Sequence, residues 1–132
     1  MTDPAAAAGR LAASRWSLLA GNFAIGCGVM VVPGSLVDLT RSLGVSVALG
    51  GQLITIAAVT MGIAAPVLAA VVGGWDRRRL LTFALAWFAI GHALAALTTS
   101  YAVLTPLRAL GLLGAAVFTP QAAAAIGRLA PP

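Results

Sequence analysis

The chain has 132 residues, 61% of them hydrophobic and 8% charged, with a formal net charge of +5. A soluble domain carries about 25% charged residues. This composition therefore excludes an ordinary globular enzyme, a disordered chain and a disulfide-rich secreted scaffold, and leaves an integral membrane protein. Residues 1–15, Ala-rich and holding Asp3, Arg10 and Arg15, read as a short cytoplasmic tail. Beyond them the charges are sparse, and residues 16–37, 42–75, 80–107 and 109–127 hold none. A spanning helix needs about 20 apolar residues, so four spans are predicted, over roughly 16–37, 49–73, 80–98 and 103–126. Barrel strands do not fit runs of this length without alternation. The connections are a polar turn from Asp38 to Ser46 holding Gly44, a tight basic turn from Gly73 to Arg79, and a neutral turn at Thr98, Thr99 and Ser100. All are short enough for antiparallel neighbours.

The basic residues are all arginine, and they punctuate apolar stretches rather than form a stripe, which sets nucleic acid aside. Their placement predicts orientation. With the N-terminus inside, Arg10, Arg15, Arg77, Arg78, Arg79 and Arg128 are cytoplasmic, and Arg41, opposed by Asp38, lies outside. Trp16, Trp75 and Tyr101 fall at predicted helix ends, where amphipathic rings prefer the interface. Both termini are thus expected inside. A cleaved signal peptide fits residues 10–30 poorly, because the apolar stretch is too long and no small-x-small cleavage site precedes a polar region.

Lipid gives helices no hydrophobic drive to associate, so packing relies on small residues. Ala24 and Gly28, Ala58 and Gly62, Ala65, Ala69 and Gly73, Ala89 and Ala93, and Gly111 and Ala115 recur at helical spacing. Cys27 reads as one more small packing residue. Pro33, Pro66, Pro106 and Pro120 lie in or near spans, where each removes a backbone hydrogen bond and bends its helix. Tight bundling explains these residues, and so do bent helices around a cavity that opens and closes.

Arg108 carries the most information. It is expected about five residues into the fourth span, roughly 7 Å along the axis. A charge at a helix centre costs about 2.5–3.5 kcal/mol. It either snorkels to the interface or faces the bundle interior near a substrate or proton path. Gly111 and Gly114 follow at i+3 and i+6, which leaves its face narrow enough for another helix to approach. Asn22, Gln52 and Thr55 are weaker candidates, each able to face a cavity or bond another helix. His92 is either a packed, hydrogen-bonded ring or a proton carrier. No metal-ligand cluster, phosphate-binding glycine loop or catalytic triad is present in the sequence, so no metal, cofactor or enzymatic activity is expected.

The stretch Arg108 to Ala116 resembles motif B of the major facilitator superfamily, an arginine followed by spaced glycines in the fourth helix. Leu43-Gly-Val-Ser46, Ala65-Pro-Val-Leu68, Asp76-Arg-Arg-Arg-Leu-Leu81, Ser100-Tyr101, Phe118-Thr-Pro120 and Leu129-Ala-Pro-Pro132 are similar to the drug-efflux and arabinose-efflux-like branch. The resemblance implies an all-α fold and proton-coupled efflux of a small molecule by alternating access. It also implies a multi-pass location in the inner (plasma) membrane. It assigns Arg108 to proton coupling and residues Asp76, Arg77, Arg78 and Arg79 to motif A, the segment that locks the outward-facing state. Registering motif A on the arginines puts Ala69 at its first glycine, Gly73 at its aspartate and Asp76 at its second glycine. The acidic position is therefore vacant, or its charge has moved three residues, and the arginines also read as a topology anchor.

Such transporters have twelve helices in two halves, so four spans are expected to be a truncated form whose partners include the missing C-terminal helices as well as lipid, protons and substrate. Small multidrug-resistance proteins, four-helix dimers of similar length, depend on a glutamate in the first helix, and this chain has no glutamate. A non-transporting accessory protein needs no buried charge, which Arg108 argues against.

Overall fold

The computed structural model describes residues 4–129; residues 1–3, with Asp3, and 130–132, the end of the motif at Leu129 to Pro132, lie outside the described residues. The described residues form five helices: α1 (Pro4–Gly34), α2 (Leu36–Leu43), α3 (Val47–Val71), α4 (Arg77–Ala96) and α5 (Tyr101–Leu129). Four of them are long and apolar enough to cross a membrane. They match the four predicted spans, while the tail, the turn from Asp38 to Ser46 and the end of the basic turn differ from expectation.

The tail is not separate from the first span. The helix already runs from Pro4 through the Ala-rich segment, where propensity is high. Trp16 therefore sits well inside α1 rather than at its end, and is exposed. The expected turn from Asp38 to Ser46 is replaced over most of its length by α2. Its apolar face places Leu36, Leu39 and Leu43 against Val32, Leu53 and Leu104, while Asp38 and Arg41 pair outside at 3.4 Å. Gly44 ends α2 at φ 65°, a left-handed conformation that favours glycine. The Gly44 and Val45 amides then donate back to the Arg41 and Thr40 carbonyls. Ser46 opens α3, its Oγ accepting from the Leu49 amide at 3.2 Å.

The core forms around α5. Leu112, Ala115, Phe118 and Ala122 of α5 meet Ile25 of α1, Ala57 of α3, and Leu81, Ala84 and Phe88 of α4. Small residues set the approach. Two phenylalanines enter notches on α1: a Cβ on Gly21 would lie 2.5 Å from Phe118 Cζ, and one on Gly28 would lie 2.7 Å from Phe88 Cζ. Between α4 and α5 the backbones themselves touch, since a Cβ on Gly91 would lie 2.5 Å from the Gly111 Cα. Gly111 and Ala115 are buried as a packing pair should be, whereas Ala24, Ala58, Gly62, Ala89 and Ala93 are exposed. Cys27 is exposed too, so it is not a packing residue within these helices.

Two long-range side-chain bonds join helices through backbone carbonyls. The Tyr101 hydroxyl donates to the Leu49 carbonyl at 2.9 Å, joining the starts of α5 and α3. Near mid-bundle, the Trp87 indole donates to the Leu110 carbonyl at 2.8 Å.

Candidate functional site

Because α5 begins at Tyr101, Arg108 lies about 10 Å along the helix axis, deeper than the expected 7 Å. It is only 5% exposed and does not snorkel. Its Nη2 donates to the Val29 carbonyl of α1 at 3.0 Å. In an unbroken helix that carbonyl accepts from the amide four residues on. Residue 33 is proline, which has no N–H to give. Pro33 thus leaves an acceptor open inside the bundle, and Arg108 fills it. Two residues singled out separately in the sequence, Pro33 and Arg108, are linked through one carbonyl.

His92 of α4 reaches the same turn of α1. Its Nδ1 lies 3.0 Å from the Phe88 carbonyl, which can only accept, so Nδ1 donates and the neutral ring presents Nε2 as an acceptor. That Nε2 is buried without a partner, and a Cβ on Gly28 would lie 3.4 Å from it. The Arg108 Nε is likewise buried without a partner. A cationic donor group and an imidazole acceptor therefore converge on adjacent residues, Gly28 and Val29, where α1, α4 and α5 meet. Gly111 and Gly114 admit α4 beside Arg108. A Cβ on Gly114 would lie 2.9 Å from the Phe88 amide nitrogen and would meet the Ala84 carbonyl oxygen.

Other candidates lie elsewhere. Asn22 on α1 and Gln52 on α3 are exposed, and neither hydrogen-bonds Arg108. Pro66 is exposed within α3, and Pro120 is exposed within α5. The arginines at 77–79 are not in a loop but form the first turn of α4. Asp76 is the N-cap, its Oδ1 accepting from the Arg79 amide at 2.9 Å. A cap carboxylate also offsets the unfavourable meeting of three cations with the positive end of a helix. Arg77 bends away and donates through Nη2 to the Gln121 carbonyl at 2.8 Å and to Gln121 Oε1 at 3.2 Å. This ties the start of α4 to α5 directly after Pro120. Sequence reading missed Val29 as the partner of Arg108 and Gln121 as the partner of Arg77. The first had a signal: a proline within a helix marks the carbonyl four residues before it.

Three apolar spans packed around a fourth, α5, with one arginine buried among them, define a polytopic membrane protein. The Major Facilitator Superfamily profile matches residues 18–132, and the chain belongs to that family. It is 33% identical over 73% of its length to the uncharacterised MFS-type transporter YbcL of Bacillus subtilis. It is 38% identical over 82% of its length to a chloramphenicol resistance protein of Streptomyces lividans. With the putative transporter AraJ of Escherichia coli the identity is 30% over 67% of the chain. These alignments cover 25%, 28% and 22% of the three relatives, so the chain spans about a quarter of the length of proteins it resembles. No solved structure matches it significantly.

Proposed function

We propose that the chain supplies the first four spans of a proton-coupled exporter of small molecules, working by alternating access in the inner (plasma) membrane. Both ends of the four-span unit face the cytoplasm in this reading, supported by the six arginines on that side against Arg41 on the other. The observation that carries the reading is the burial of Arg108 against α1. A charge held within an apolar bundle is costly, and its place at a three-helix junction lets it sense a substrate or a proton. Efflux, rather than uptake, is favoured by the resistance protein among the relatives.

In this reading Arg108 couples proton movement to the motion of α1 against α5. Asn22 and Gln52, open on α1 and α3, face the cavity that further helices complete. The segment Asp76 to Arg79 gates through the Arg77 bond to Gln121, with Pro33, Pro66 and Pro120 as bending points and Gly111 and Gly114 as the sliding contact. Twelve helices are needed to enclose such a cavity, and the many exposed apolar side chains, among them Phe23, Ile63 and Val67, give further helices a surface to cover.

The test is pH-gradient-driven efflux by a full-length transporter carrying these four spans, in membrane vesicles. Arg108→Ala is expected to abolish efflux while membrane abundance stays unchanged; retained efflux would overturn the role of Arg108. Vesicles holding only this chain are expected to show no proton-linked efflux, and transport by them would overturn its assignment to a larger machine.

A further inference from the structure

An open cleft of about 730 Å³ lies at the arginine-rich end of the bundle, between α1, α4 and α5. Arg10 of α1 and Arg78 of α4, both exposed, line it, and no carboxylate does. Arg77 also borders the cleft but is occupied by Gln121. The hydroxyls along its walls are engaged as well: Ser14 donates to the Arg10 carbonyl and Thr82 to the Arg78 carbonyl, each at 2.9 Å. The donors left to greet a ligand are therefore the guanidinium groups of Arg10 and Arg78, which pair with no carboxylate among the described residues. The rest of the lining is largely apolar, Leu85 and Phe118 included. The cleft thus sets cationic groups and a hydrocarbon wall side by side.

We propose that this cleft binds one anionic phospholipid, its phosphodiester between Arg10 and Arg78 and an acyl chain along Leu85 and Phe118. Inorganic phosphate would satisfy the arginines and leave the apolar wall bare; a neutral lipid would do the reverse. Only an anionic amphiphile matches both kinds of lining. The helical continuation of α1 to Pro4 is what makes the site, because it carries Arg10 alongside the start of α4. The inference needs only that the bundle sits in a membrane, and stands apart from any role of Arg108.

The test is native mass spectrometry of the purified full chain released from micelles holding equal phosphatidylglycerol and phosphatidylcholine. Each arginine close to an anionic lipid surface contributes roughly a fivefold gain, so the pair is expected to favour phosphatidylglycerol on the order of thirtyfold. Arg10→Gln with Arg78→Gln should bring retention close to parity. Arg41→Gln, at the opposite end of the bundle, should leave the preference unchanged. Circular dichroism of each variant checks that the helices persist, as expected for exposed side chains. Equal retention of the two lipids by the native chain would overturn the proposal. So would an equal loss in the Arg41 variant, displacement of the lipid by excess inorganic phosphate, or a dimer carrying no lipid.

Discussion

The α4–α5 pair and the far half of α3 are built from the same kinds of residue, yet one is closed and the other open. In the pair, Gly91 and Gly111 bring two backbones together, and Gly114 admits the turn from Ala84 to Phe88. On the far half of α3, a Cβ added to Gly62 would meet nothing, and Ile63, Val67 and Val71 are exposed. Small residues at helical spacing thus say that a neighbour can approach, and not that one has. In a membrane the open face costs little, because lipid covers it as readily as protein does.

Substitutions that fill the closed contact should do the most harm. Gly91→Leu drives a side chain into the α5 backbone, which cannot yield as a flexible side chain can. A loss of about 3 kcal/mol is expected from overpacking, read as an earlier midpoint in detergent-driven unfolding followed by circular dichroism. The junction of α1 with α5 comes next. Arg108→Ala strands the Val29 carbonyl, at an expected cost of about 1–3 kcal/mol. Pro33→Ala restores an amide that can serve that carbonyl, so in its background the Arg108→Ala cost should shrink by about 1 kcal/mol. Strict additivity in that double-mutant cycle would show that the proline and the arginine are not linked. The smallest effect belongs to the open face, where Gly62→Ala should shift stability by less than about 0.5 kcal/mol. A large effect there would mean that something covers α3 in the purified protein, such as a second copy.

The same contrast explains what the sequence made legible. Long uncharged runs between a few arginines were enough to predict the four spans, because bilayer thickness dictates length. Which face of each span lies inside was not legible. A soluble helix marks its inner face by being apolar there; a membrane helix is apolar on both sides, so Asn22, Ala58 and Ala89 carried no sign that they point outward. The notches at Gly21 and Gly28 matter only because Phe118 and Phe88 arrive from other helices. Two local features were within reach. The spacing of Leu36, Leu39 and Leu43 before Gly44 is that of a short amphipathic helix, hidden by its brevity and by polar neighbours. The alanines before Arg10 favour helix whatever their polarity suggests. At the site, Arg108 was identifiable as a charge within a span, while its partner is a backbone atom, which no side-chain pattern reveals.

The bond from Arg108 to Val29 joins a cation to a neutral oxygen, so nothing in it cancels the charge. Among the described residues the aspartates are Asp38, in the first turn of α2, and Asp76, the cap of α4, and neither pairs with Arg108. The junction therefore holds a standing charge of +1. At an effective dielectric of about 20, a singly charged group 8 Å away would feel about 2 kcal/mol, attractive if negative and repulsive if positive. Before any contact forms, the interior of these four helices already discriminates by sign.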